Sequence, residues 1–321
     1  MSAIGSKELL GGFRRIKGFV NETPILTCST LNRMFDTNLY FKCENFQKVG
    51  AFKFRGAMNA VLSLEERCVD LSKGLATHSS GNHAAALAHA SALRGYKAFI
   101  VMPRNAPETK QRAVKGYGAE IILCEPTLQA REETLAAVVR EHGSQIVHPF
   151  NDYDVIIGQS TAFFETILYG LDKGVRFDKV LVPVGGGGFL SGTSLSAHFF
   201  SEGTQVIACE PSGADDAYQS FKNKRFIPSK DPKTIGDGLL TSLGDKTFEI
   251  MMEYVDDVCT VEEESIVEAM RLIWERMKII VEPSSAVPLA AILEGKVHVK
   301  GKHIAIMVSG GNLDLTRLPW L

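Results

Sequence analysis

KVLVPVGGGGFLSG, residues 179–192, runs from an apolar stretch into four consecutive glycines and out into a helical pattern. Val180, Leu181, Val182 and Val184 are apolar at neighbouring positions, as in a strand covered on both faces. Gly185, Gly186, Gly187 and Gly188 carry no Cβ, so their backbone can approach an anion closely. The helix that follows, read through Ser201, directs unpaired N–H groups and its positive end at the same place. The loop therefore reads as a phosphate cradle, although a flexible turn has the same composition and a nucleotide would also suit it. No Gly-Lys-[Ser/Thr] follows and there is no clean G-x-G-x-x-G, which sets aside the Walker and dinucleotide loops.

The same rhythm extends outward. Residues 39–43, 98–102, 120–123, 145–148, 205–209 and 303–308 read as further short strands. Residues 52–64, 82–94, 107–117 and 127–142 read as helices between them. Strands alternating with helices predict an α/β protein whose parallel sheets are flanked by helices. With no repeat and no Gly/Ser linker, any two domains should pack closely around a cleft, and ligands in such folds bind where strands end and helices begin.

The chain of 321 residues, 45% hydrophobic and 22% charged, is long enough for a large core. A net charge of −2 without long single-sign runs points away from nucleic acid and anionic membranes as partners. Cys28, Cys43, Cys68, Cys124, Cys209 and Cys259 form no Cys-x-x-Cys pair; they read as reduced, mostly buried thiols of a cytoplasmic protein. The first twenty residues lack the apolar core of a secretory signal, and no apolar run is long enough to span a bilayer.

Three more segments carry chemistry. In Gly50-Ala51-Phe52-Lys53-Phe54-Arg55-Gly56 a lysine stands between two aromatics at a predicted helix start. An amine in an apolar setting loses solvation of its charged form and becomes the better nucleophile that an imine to an aldehyde requires. A snorkelling lysine explains the pattern equally well on its own. Thr77-His78-Ser79-Ser80-Gly81-Asn82-His83 lies between a strand and a helix; it suits a carboxylate, or is an ordinary N-cap. Ser309-Gly310-Gly311-Asn312 follows the last strand, where a hydroxyl can meet a ring nitrogen.

In this order and spacing, from about Glu22-Thr23-Pro24 to Asn312, the segments resemble the fold-type II pyridoxal-phosphate (PLP) enzymes, the tryptophan-synthase-β-like group. Within it they are most similar to the serine/threonine dehydratases, in the branch of serine racemase and threo-3-hydroxyaspartate dehydratase. The resemblance implies a large PLP-binding domain from residues 1–68 and 152–321, and a small substrate-closing domain at 69–151. It implies that Lys53 bears the cofactor and that Phe52 packs on its ring. Asn82 would meet the phenolic oxygen, Gly185 to Gly188 the phosphate, and Ser309 the pyridine nitrogen, with Gly238 a further cofactor contact. A serine partner makes the ring a weak electron sink, which suits prompt β-elimination.

Ser79, Ser80, Asn82 and His83 would bind substrate, with Ser80 also placed to act on the opposite face from Lys53 as a racemase requires. Glu210, the Ala214 carbonyl and Asp216 match a divalent-cation site, magnesium by default and manganese or calcium otherwise; without the resemblance they read as a solvated acidic loop. Arg276-Met277-Lys278 matches part of a nucleotide region at the subunit interface of that branch, whereas Ala85 stands where animal racemases carry glutamine. The partners implied are a small amino acid and a second copy of the chain.

The implied reaction removes water and then ammonia from a β-hydroxy amino acid. Serine racemase with side dehydratase activity, a biodegradative threonine/serine dehydratase and a cysteine-synthase-like β-replacement enzyme are the alternatives. A non-catalytic nucleotide-binding module is the rival of another class. The His78 to Ala84 motif and the tail Leu318-Pro319-Trp320 look more like the hydroxyaspartate dehydratases. Arg131 would suit a second substrate carboxylate as a bidentate partner, or is a surface arginine beside Glu132 and Glu133. No room remains after Asn312 for the regulatory domain of biosynthetic threonine dehydratases.

Overall fold

The computed structural model describes residues 4–320. Among the described residues, ten strands form two sheets. β1 (Ile25–Leu26), β2 (Asn38–Cys43), β7 (Lys179–Pro183), β8 (Gln205–Pro211), β9 (Asp257–Val261) and β10 (His303–Val308) make a six-stranded sheet in the order β1-β2-β10-β7-β8-β9. It is parallel except where β1 runs against β2. β3 (Leu75–His78), β4 (Ala98–Pro103), β5 (Glu120–Cys124) and β6 (Gln145–Ile146) make an all-parallel sheet in the order β5-β4-β3-β6. All six residues of β4 are buried, as a strand covered on both faces must be.

The predicted strand at 145–148 shortens to two residues. Val147 still donates its N–H to Ala76 O, and then the chain turns, with His148 Nδ1 accepting the backbone N–H groups of Phe150 and Asn151. A side chain that takes backbone donors in this way competes with the ladder. β9 and the long helix Tyr153–Lys173 lie outside the elements read from sequence. That helix is nevertheless well signposted: Asp152 accepts the N–H groups of Asp154 and Val155, and Gly174 closes it at φ 65°.

Three contacts place the helix Lys53–Glu66. Its start is tied to the end of β10, because Phe52 donates its N–H to Ser309 O and Ala51 bridges Gly310. Its flank meets the helix Tyr153–Lys173 at Gly158, where a Cβ would stand 2.5 Å from Arg55 O and 2.6 Å from Gly56 Cα. Arg55 then locks the crossing. Its guanidinium, fully buried, donates to Glu44 at 2.7 and 2.9 Å and to Glu165 at 2.6 and 2.7 Å. Lys42 adds a second buried cation on Glu165, at 2.5 Å.

The six cysteines are free, and all but Cys68 are buried. Among the described residues no helix is long and apolar enough to cross a membrane.

Removing one partner of a buried ion cluster strands the rest. Arg55→Met is expected to lower stability by about 3–5 kcal/mol, measured by urea unfolding; a loss under about 1 kcal/mol would show that Glu44 and Glu165 find other partners.

Candidate active site

The carboxyl ends of β10, β7 and β3 lead into the three loops singled out in the sequence. β10 and β7 are neighbours, so Ser309 and the glycine loop start side by side. Gly187 has φ 84° and caps the helix Gly188–Phe200, whose first N–H groups face the loop. The loop tolerates no side chain. A Cβ on Gly186 would stand 2.3 Å from the Phe150 ring, one on Gly185 2.8 Å from Leu239 Cα, and one on Gly188 2.9 Å from Phe150 Cβ. Thr247 donates to Gly186 O at 2.9 Å and braces the loop from behind. Gly238 lies in the turn Asp237–Leu239, its carbonyl 3.1 Å from where a Gly185 Cβ would be.

Lys53 begins its helix with its side chain pointing inward. Its Nζ donates to Pro149 O at 2.8 Å and stands 5.1 and 5.9 Å from the ring centroids of Phe52 and Phe150. Burial pulls its pKa from the ordinary 10.5 to about 8, with Glu282 acting in the opposite direction. One face of Phe52 is covered by Phe189, at 4.0 Å between centroids.

Asn82 opens the helix Asn82–Leu93 and gives its Nδ2 to both carboxylate oxygens of Glu282, at 3.1 and 3.2 Å. Asn312 donates to Asn82 Oδ1 at 2.9 Å and, through its backbone, to Glu282. Glu282 is pushed up to about 7, by burial first and then by Asp237, while the Asn82 and Asn312 N–H groups and Lys110 work against the shift. Lys110 is ion-paired with Asp237, which joins the helix Glu108–Gly116 to the turn beside Gly238.

Ser309 Oγ lies 3.0 Å from Ser285 Oγ, and Ser285 also lies 2.7 Å from Gly310 O. A hydroxyl donates once, so with Ser285 committed to Gly310 O, Ser309 is the donor. Glu282 and Ser285 were not found from sequence. Pro283 signals a helix start there, but no periodicity tells which polar side chains of that turn face inward.

Ser79 accepts Gly81 N–H at 3.3 Å, and Ser80 is half-buried on the same loop. The His83 ring bonds Val147 O through Nε2 and leaves a buried Nδ1 without a partner. Burial, then Lys53, hold it well below the ordinary imidazole range. A donating Nε2 makes Nδ1 an acceptor, which leaves the His83 backbone N–H as its donor for a carboxylate.

Arg131 sits in the first turn of the helix Leu128–His142, half-buried, with a buried Nε that has no hydrogen-bond partner. It is near enough to His78, at the end of β3, to help lower that imidazole, after burial and against Glu132.

Away from this cleft, Glu210 lies next to the end of β8, fully buried, and accepts the N–H groups of Ala217 and Tyr218. Burial, then repulsion from Asp216, push it well above the carboxylate range. Asp216 is raised to about 7, chiefly by burial. Its Oδ2 accepts Leu243 N–H, and its Oδ1 is buried without a partner. Ala214 is buried in the short turn between them. Two buried carboxylates with an orphaned oxygen fit a hard cation.

A buried amine of lowered pKa beside a backbone cradle for an anion belongs to enzymes built around an aldehyde cofactor that carries a phosphate. Residues 16–310 match the family described as pyridoxal-phosphate dependent enzyme, and the chain belongs to it. The beta-hydroxyaspartate dehydratase of Paracoccus denitrificans is 46% identical over 98% of this chain and 98% of its own. The L-threo-3-hydroxyaspartate ammonia-lyase of Saccharomyces cerevisiae is 43% identical over 97% of this chain and 94% of its own. The crystal structure of serine racemase from Dictyostelium discoideum superposes with a TM-score of 0.90 at 46% identity, covering 98% of this chain and 100% of that one. The protein is thus a PLP-dependent enzyme of α/β fold-type II, as the sequence motifs imply. The side-chain-free glycine loop and the buried Lys53 amine are residues that could hold that cofactor.

Gly186→Ala drives a methyl into Phe150, with about 1–3 kcal/mol of overpacking. The expected result is a folded protein that retains PLP roughly tenfold to hundredfold less well, read from visible absorbance after dialysis. Unchanged retention would remove the loop from the cofactor site.

Proposed function

We propose that this enzyme is an ammonia-lyase that dehydrates a small β-hydroxy amino acid, with 3-hydroxyaspartate preferred over serine and threonine. The observation that carries the substrate choice is Arg131, half-buried beside His78, with an unpartnered Nε. Two relatives over 40% identical that bear hydroxyaspartate in their names support it.

PLP, when bound, supplies the electron sink that makes an α-proton removable. Lys53 is the attachment amine and then the base for that proton. A pKa of about 8 leaves a working fraction of it uncharged near neutrality. Phe52 flanks the cofactor ring, while Asn82, Gly238 and Ser309 hold its edge and Gly185 to Gly188 its phosphate. Ser79, Ser80, Asn82 and His83 take the substrate α-carboxylate at a helix N-terminus. Arg131 takes the second carboxylate and so aligns the hydroxyl-bearing carbon. In this reading residues 69–151 form the small domain that closes over substrate, and the remainder the large one. Ser80 opposite Lys53 gives racemisation as a side reaction, supported by the likeness to serine racemase.

A divalent cation, magnesium before manganese or calcium, belongs to the same reading, held by Glu210, the Ala214 carbonyl and Asp216. The orphaned Asp216 Oδ1 supports it. We also read the enzyme as a cytoplasmic homodimer. The free thiols support the location. Exposed Phe46 and Ile280, on segments joined by the Asn45–Ile280 hydrogen bond, support an apolar contact.

A charge-assisted bidentate pair is worth ~1.5–3 kcal/mol. Arg131→Ala should therefore cut kcat/KM for 3-hydroxyaspartate roughly tenfold to a hundredfold, and that for serine and threonine much less. Equal losses for all three would reject the specificity role.

Chelation of the holoenzyme should lower its thermal midpoint by a few degrees, with magnesium restoring it by mass action. The double variant E210A/D216A should show no such response. If chelator leaves the wild type unmoved, the pair is an acidic loop and not a metal site.

A further inference from the structure

The segment 147–151 links β3, Lys53 and the glycine loop. Val147 is the last residue paired to β3. Pro149 O takes the Lys53 Nζ–H bond, and Phe150 fills the space that the glycine loop leaves. Asn151 accepts Lys246 N–H and donates to Asp245 at the start of the helix Asp245–Tyr254. The turn that arranges these contacts is closed by one atom, His148 Nδ1, which accepts Phe150 N–H at 3.3 Å and Asn151 N–H at 2.9 Å.

We propose that His148 is a positioning residue for Lys53: its unprotonated Nδ1 holds the turn that presents the Pro149 carbonyl to the lysine, and does so without placing a charge there. This rests on reading Lys53 as the lysine that bears the cofactor.

Two donors converging on Nδ1 put the ring proton on Nε2 and leave no room for a second. The surroundings agree. Burial takes His148 down to about 4, and His78 on β3, Lys53 and Lys246 act in the same direction, against Asp245. His83, from the helix Asn82–Leu93, also faces this group. The turn's hydrogen bonds therefore stay the same over the range in which an amine near pH 8 titrates.

An aspartate or asparagine would be the ordinary residue to close such a turn, since its side-chain oxygen accepts the N–H two residues on. Aspartate would also set a negative charge beside Lys53. An opposite charge favours the ammonium form, and the nucleophile would be lost at neutral pH. Besides burial, Glu282 is the charged group that acts on Lys53, while His83 and His148, which face the amine, are pushed by it toward the neutral form. The imidazole serves the turn and leaves the amine's low pKa intact.

The test uses three variants, H148N, H148D and H148L. Competitive acetylation of the full-length, cofactor-stripped protein, read by peptide mass spectrometry, gives the ionisation midpoint of Lys53 itself. Wild type should titrate near 8. H148N, a neutral acceptor, should stay within about half a unit of wild type, whereas H148D should rise by about one unit. H148L loses the turn and the carbonyl contact, so its midpoint should fall. The kcat profile of each holoenzyme should move its Lys53 limb in the same direction. The N and D variants carry the test even if H148L does not fold. Borohydride reduction of the holoenzyme followed by peptide mapping locates the cofactor lysine. A label elsewhere overturns the reading of Lys53 and His148's part with it. A label on Lys53 with H148N and H148D titrating alike overturns the role of His148 alone.

Discussion

Arg55 carries a full charge into the buried interior, and the architecture around the cleft follows from how that charge is met. Two carboxylates from separate elements, Glu44 and Glu165, take four of its N–H groups. Only one relative placement of the three elements satisfies them all. Because Lys53 lies two residues earlier on the same helix, fixing the guanidinium fixes where the amine emerges. Such clusters are weak contributors to net stability but costly to break. Here the return is geometric: a lysine can be desolvated only if its backbone cannot drift toward solvent.

Around that lysine the fold keeps charge scarce. Three histidines stand near it, and burial lowers the pKa of each. The carboxylate that acts on it, Glu282, is itself raised toward neutrality and occupied by two asparagines. A dianionic phosphate and a carboxylate substrate would then enter a site whose opposing charges come from backbone N–H groups and a few cations, not from mobile ion pairs that must first be broken.

Much of this was legible in the chain, for identifiable reasons. The glycine run, the Lys53 segment and the Ser79–Asn82 loop each follow the register of a strand end, and that register survives in one dimension. Strand limits moved where a side chain intervened, as at His148, whose claim on two backbone donors ended β6 early. Glu282, Ser285, Pro149 and Phe150 were not legible. Each acts on a partner far away in sequence, and nothing in its own neighbourhood distinguishes an inward from an outward orientation. Arg131 is intermediate: its helix was foreseen, but its half-burial depends on how the helix lies across the small sheet. The long helix Tyr153–Lys173 had an evident start and stop at Asp152 and Gly174, yet what gives it meaning, the bare Gly158 facing Arg55, is a property of the pair.

The fit of Phe150 into the hollow left by Gly186 and Gly188 bears on how such an enzyme can change. The ring and the missing side chains are one object divided between two distant segments, so neither half can be altered first without a clash or a void. Drift at these positions must pass through a joint step, or through an intermediate in which a smaller residue at 150 leaves slack that a methyl at 186 later fills. The order of substitutions is thus constrained more than their identity. Residue 150 and the cradle can therefore change only as a pair.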